Sequence, residues 1–172
     1  MAAQGVEPQK KNAKARILVV DDESGMRELL EIVLQNDGYD VECAANISQA
    51  QSRLESSEFD CVVTDLRMGA QRDAGMTLLN WIAEHTPNTP AIMMTAHGSV
   101  EVAIEAMKCG AADYIMKPFK NDEMRIIIRR AIEQRDLVRE NTALRKDQAL
   151  RGQLDNIAGN SPAIEEIGRA QV

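Results

Sequence analysis

Four short apolar runs, at residues 17–20, 61–64, 91–94 and 114–116, each lead directly into residues that carry chemistry. Asp21 and Asp22 follow the first, Asp65 the second, Thr95 the third, and Lys117 with Pro118 the fourth. Unbroken apolar runs of this length suit strands buried on both faces, which is the situation of a parallel sheet covered by helices. The intervening segments have helical spacing. Residues 23–36 put Met26, Leu29, Leu30, Val33 and Leu34 on one face and stop at Gly38, where a glycine closes a helix naturally. A further strand is expected at 41–45, followed by helices at 48–54 and a little beyond, around 76–85 ahead of Pro87 and Pro90, and at 99–108 ahead of Gly110. Strand and helix thus alternate five times, which predicts a doubly wound five-stranded parallel sheet with order 2-1-3-4-5, a flavodoxin-like α/β fold.

In such a sheet, function gathers outside the carboxyl ends of the strands near a topological switch point. The residues following the four runs would therefore share one edge. Three carboxylates brought within a few ångströms repel by up to ~4 kcal/mol per close pair at an effective dielectric of ~20. A divalent cation relieves this, and Mg2+ suits a few carboxylates supplemented by waters and a phosphoryl oxygen. Asp21, Asp22 and Asp65 are the candidate ligands, with the backbone carbonyl of Arg67 as a further one. A carboxylate so placed can attack a phosphoryl donor and become an acyl phosphate. Asp65, after the third and central strand, is the expected nucleophile, while the paired Asp21 and Asp22 hold the metal. Lys117 and Thr95 would stabilise the phosphoryl oxygens, and the Lys117–Pro118 bond is a candidate cis peptide. Capping by Asp explains any one of these residues alone, but not all of them at the ends of four strands.

Composition bears on what remains. With aromatics at 3% of the chain, the core must be aliphatic, and the 44% hydrophobic content is ample for one domain plus an appendage. Cys43, Cys61 and Cys109 are odd in number and lack metal-ligand spacing, so they read as reduced, mostly buried thiols. No apolar stretch reaches the length of a membrane span and no signal peptide opens the chain, which points to the cytoplasm and no membrane contact. Residues 17–119 hold 17 acids against 6 Lys or Arg, the reverse of a nucleic-acid footprint. The basic cluster Lys10, Lys11, Lys14 and Arg16 falls in residues 1–15 and just beyond, expected to be a disordered tail.

From about residue 122 one long helix is expected, with neither Gly nor Pro until Gly152. Ile127, Gln134, Asn141 and Gln148 recur every seven residues, as do Leu137 and Leu144, a pattern that fits a parallel two-helix coiled coil with Asn141 setting the register. A solvated helical linker is the alternative.

The segments VVDDE (19–23), VVTDLRM (62–68) and MMTAHGSVEVAIEAMKCGAADYIMKPF (93–119) closely resemble the receiver domain of bacterial two-component response regulators, over roughly residues 15–135. The resemblance implies a domain that is not an enzyme beyond its own phosphorylation and slow dephosphorylation. It makes Asp65 the acceptor of a phosphoryl group from a sensor histidine kinase, Asp21 and Asp22 the Mg2+ ligands, Thr95 and Lys117 the phosphoryl contacts, and Tyr114 the aromatic that switches with Thr95. Residues 95–119 are most similar to the nitrogen-regulation (NtrC-like) type, which precedes a sigma-54-dependent ATPase. IAGNSPAI (157–164) is similar to the opening of that ATPase. The implied organisation is a receiver core at 16–121, a fifth helix and linker at 122–151, and the start of an ATPase domain at 152–172. No GxxxxGK loop or helix-turn-helix follows, so contacts with sigma-54 RNA polymerase and DNA would belong to domains outside this sequence. A fragment of a longer regulator is the expected reading, and a naturally short form the other.

One departure stands out. The family usually has Pro where Gly69 stands and a Gly eight residues after the acceptor, but here Gly75 lies ten residues after Asp65. The loop MGAQRDAG is thus two residues longer and expected to be more flexible. Three other functions share parts of the pattern. An aspartyl-phosphate phosphohydrolase needs Asp-x-Asp rather than adjacent acids, and a flavin-binding domain needs a Gly/Ser/Thr-rich cradle where this chain is acidic. A phosphorylation-independent dimerisation module would leave the intact acidic site without a use.

Overall fold

The computed structural model describes residues 14–96 and 100–159, with side chains of the last helix described through Gly152. Most of the expected tail, Ser99 at the head of the fourth helix, and residues 160–172 lie outside the described residues. The order is β1 (Arg16–Val20), α1 (Ser24–Asn36), β2 (Asp40–Ala44), α2 (Ile47–Ser56), β3 (Cys61–Asp65), α3 (Ala74–His85), β4 (Ala91–Thr95), α4 (Val100–Lys108), β5 (Asp113–Met116) and α5 (Asn121–Gly159). All strand pairs are parallel, and the sheet runs β2-β1-β3-β4-β5. This is the doubly wound fold expected from the sequence.

Strand side chains alternate between two apolar layers, as the two-residue period of a strand requires. Leu18, Val20, Val62 and Met93 pack with α2, α3 and Ala106 of α4. Ile17, Val19, Val63, Ile92 and Ile115 pack with Leu30 and Leu34 of α1 and with Met124, Ile128 and Ala131 of α5. Burial on both faces makes β1, β3 and β4 continuous apolar runs. The fourth run departs from this. Strand β5 lies at the sheet edge, so Tyr114 and Met116 are exposed while Ile115 is buried. Leu29, assigned by spacing to the inner face of α1, is 43% exposed, because that helix buries only the narrower stripe of Leu30, Val33 and Leu34. None of the three cysteines is in a disulfide; Cys61 is buried and Cys43 and Cys109 are half-buried.

The compact unit runs to Glu133, because the first turns of α5 supply Met124, Ile128 and Ala131 to its core. Gln134 onward forms a second unit. Helix α5 also passes through Gly152 to Gly159. A single glycine costs a helix only ~1 kcal/mol relative to Ala, too little by itself to end one. Among the described residues, no helix is long and apolar enough to cross a membrane.

Candidate functional site

Adjacent positions in the chain acquire opposite environments at the end of β1. Asp21 is fully buried, whereas Asp22 is exposed. The Asp21 Oδ1 accepts from the Glu23 N–H at 2.9 Å, and its backbone carbonyl accepts from the Arg27 guanidinium at 2.7 Å. These bonds fix the carboxylate ahead of α1. Asp65 closes β3 and is 8% exposed. Lys117, just past β5, reaches across to both acids, with Nζ 3.0 Å from Asp21 Oδ2 and 3.3 Å from Asp65 Oδ2. Its own backbone N–H donates to the Thr95 carbonyl at 2.8 Å, which ties the lysine to the end of β4. The Lys117–Pro118 peptide is cis. Thr95 is buried at 3% exposure, and together with Asp22, Asp65, Arg67, Gly69 and Lys117 it lines one pocket of about 290 Å³.

Electrostatics follow from this crowding. Burial pushes the Asp65 carboxyl above its ordinary value, the nearby Asp21 charge adds to the rise, and Lys117 opposes both. Burial pulls the Lys117 ammonium down, yet its hydrogen bond to Asp21 and the two carboxylate charges outweigh that and leave it raised. Lysine therefore performs the charge compensation here.

The donor set fits Mg2+. Asp21, Asp22 and Asp65 each offer an oxygen, and these three oxygens lie within 4.8 Å of one another. All are hard anionic donors, and exposed Asp22 leaves the solvent side open for the waters that Mg2+ retains.

The long loop after β3 adds a group that residue types alone did not reveal. Met68 and Gln71 exchange backbone hydrogen bonds, both 3.1 Å, around Gly69 and Ala70. Gly69, at φ +60°, donates its N–H to Asp22 Oδ2 at 2.8 Å. The loop is thus held by its own two-residue turn and by a tie to the acidic site. A backbone donor carries no side-chain signature, and the only sequence signal was the glycine standing where proline was expected. Tyr114 stands apart, exposed on β5 beside Ala103, Ile104 and Met107 of α4. Leu137 and Leu144 are exposed on α5. Ile127 instead packs half-buried against the core, so the heptad pattern is free only from Gln134.

An open α/β domain with three acids, a hydroxyl and a lysine at its carboxyl edge has the parts of a phosphoryl-accepting switch. The profile of the response regulator receiver domain matches residues 17–129. The regulatory protein AtoC of Escherichia coli is 37% identical over 152 residues, which is 88% of this chain and 32% of AtoC. A crystal structure of NtrX from Brucella abortus superposes with a TM-score of 0.73 at 35% identity, covering 77% of this chain and 30% of that one. The solution structure of the beryllofluoride-activated NtrC4 receiver domain dimer gives 0.66 at 32% identity, over 70% of this chain and 98% of that one. This chain belongs to the response regulator receiver domain family, and the Asp21, Asp22, Asp65 and Lys117 cluster matches the phosphorylation site of that family. It spans about a third of the length of curated relatives such as AtoC and AlgB.

Proposed function

We propose that Asp65 is the phosphoacceptor of a receiver that takes its phosphoryl group from a sensor histidine kinase and answers through dimerisation. The observation that carries this is the double salt bridge of Lys117 to Asp21 and Asp65 inside a cluster of three acids. Asp21, Asp22 and Asp65, with the Arg67 carbonyl, are the residues that would hold Mg2+. When bound, the cation offsets the charge of the acids and of the phosphoryl oxygens. A carboxylate oxygen of Asp65 attacks phosphorus, the P–O bond forms as the donor's bond to phosphorus breaks, and the donor's histidine leaves with the bonding pair. Lys117 then exchanges a carboxylate partner for a phosphoryl oxygen, and the Thr95 hydroxyl donates to another. The expected result is that acetyl phosphate with Mg2+ adds one phosphoryl group by mass spectrometry, and that Asp65→Asn accepts none. Retained labelling in Asp65→Asn would sink the assignment.

The output is assigned to the face of Tyr114 and to α5. Movement of Thr95 and Tyr114 on phosphorylation biases a two-state surface, which changes how two copies associate. Support comes from the exposed Leu137 and Leu144 flanking Asn141. In a parallel pair, Glu140 and Arg145 would also occupy facing g and e positions of opposite charge. Leu137→Glu with Leu144→Glu is expected to lower the dimer fraction at least tenfold in sedimentation equilibrium, with the receiver fold unchanged by circular dichroism. An unchanged mass distribution would return α5 to the role of a solvated linker.

We also propose that this receiver serves a sigma-54-dependent activator, with residues 122–151 as linker and 152–172 opening an ATPase domain. Similarity to AtoC and AlgB across 152 and 154 residues, beyond the end of the receiver match at residue 129, supports this. Contacts with sigma-54 RNA polymerase and DNA would then lie in other domains.

A further inference from the structure

We infer that the Gly69 N–H is a positioning group for the metal ligand Asp22, so that the turn after β3 sets the affinity of the acidic site for Mg2+. This rests on the metal reading proposed above and extends it to a residue with no side chain.

The three acids are held very unequally. Asp21 is buried and fixed by Lys117 and by the Glu23 N–H, and Asp65 is buried beside the same lysine. Asp22 is exposed, and a solvated Asp samples several rotamers, each of which must be given up when it binds a cation. Its Oδ2 accepts from Gly69 at 2.8 Å, a charge-assisted bond that selects one of those rotamers in advance. An ionised carboxylate has two oxygens and about four acceptor sites, so this bond leaves Oδ1 wholly available. Preorganisation is therefore gained without removing the ligand atom, as happens when an outer partner orients a metal-binding side chain.

The turn is built to deliver that N–H. Gly69 is the first central residue of a two-residue hairpin closed by the paired Met68 and Gln71 bonds, and it has φ +60° while Ala70 does not have positive φ. This is the glycine position of a type II′ turn. A Cβ at Gly69 would meet nothing within 4 Å, so backbone conformation rather than space demands glycine. Proline at this position would lack both the N–H and the positive φ.

The test is a Mg2+ titration of the full chain, followed by backbone amide NMR, in the unmodified protein, Gly69→Pro and Gly69→Ala. Alanine is disfavoured at φ +60° but, unlike proline, can adopt it, and it keeps the N–H. Gly69→Pro is expected to weaken Mg2+ binding about three- to tenfold, at or below the low end for outer-shell partners because the site is solvent-facing, while Gly69→Ala stays within about twofold. Hydrogen exchange of the Gly69 amide provides a reading that needs no proline variant. Protection should be present without metal, fall about tenfold in Asp22→Asn, and persist when Mg2+ is added. Loss of protection on adding Mg2+ would mean that the amide competes with the cation, and equal affinities in all three proteins would mean that it does nothing; either overturns this inference alone. Absence of Mg2+ binding in the unmodified chain would overturn the metal reading as well.

Discussion

Lys117→Met should destabilise the metal-free protein by about 2–3 kcal/mol at pH 7, somewhat below the loss for breaking a fully buried pair because one side of this site meets solvent. The lysine is the compensating cation between Asp21 and Asp65, at 3.0 and 3.3 Å, and methionine of similar length leaves both carboxylates facing each other without it. The pH dependence has a definite sign. Burial and the Asp21 charge already raise the Asp65 carboxyl, and removing Lys117 takes away the influence that lowers it. A carboxyl raised on folding makes the native state bind more protons, so its contribution is fully present below the unfolded value near ~3.9 and is lost as pH rises through the raised folded value. The deficit of Lys117→Met should therefore be large near neutrality and shrink as pH falls toward about 4. Adding Asp65→Asn should suppress most of it, because a neutral amide no longer opposes Asp21. Urea denaturation in chelator at several pH values measures all of this. A deficit that does not depend on pH, or that Asp65→Asn leaves intact, would show that Lys117 acts by packing rather than charge.

The acids of the site were legible because their chemistry is written in side chains and their placement follows from strand periodicity. Every run that ends on Asp21, Asp65 or Thr95 is buried on both faces, which is what continuous apolar character reports. The same reasoning could not separate Asp21 from Asp22. Adjacent side chains diverge at a strand end, and only the fold decides that one meets Lys117 and the other the Gly69 amide. The expected order already put the fifth strand at the sheet edge, but the exposure of Tyr114 and Met116 was hidden, since an apolar run does not say which of its faces the helices leave uncovered. In α5, the heptad pattern ran straight across a boundary that packing draws at Glu133, because Ile127 serves the core while satisfying the seven-residue spacing. Gly152 misled in the opposite direction, as its propensity cost is smaller than what a continuous helix can absorb.

Gly75 gives the sharpest case of a residue whose role is geometric rather than chemical, and Gly75→Ala should be damaging despite improving helix propensity. The substitution lies inside α3, where Ala is favoured over Gly by about 1 kcal/mol. A Cβ there, however, would stand 2.5 Å from the Asp65 carbonyl oxygen, 2.7 Å from the Met93 sulfur and 2.8 Å from the Leu66 Cα. The methionine sulfur can swing aside, but the other two atoms are backbone at the end of β3. Relief requires α3 to lift from the strand, which strains the 2.9 Å bond from the Gly75 N–H to the Leu66 carbonyl, or requires the Asp65 backbone itself to shift. Overpacking of this kind costs about 1–3 kcal/mol, so against the propensity gain the net effect is a loss of up to about 2 kcal/mol. The functional loss should exceed the structural one. A displacement approaching 1 Å at a reacting group can cost on the order of 100-fold in rate, and the atoms forced to move carry Asp65, the proposed phosphoacceptor. Folded Gly75→Ala protein is accordingly expected to take a phosphoryl group from acetyl phosphate 10- to 100-fold more slowly, with Asp65 chemically intact. Wild-type labelling rates together with wild-type urea stability would mean that α3 stands off β3 more freely than these contacts allow. A slow rate with only modest destabilisation would establish that the close approach of α3 holds Asp65 where Lys117 and the other acids can act on it.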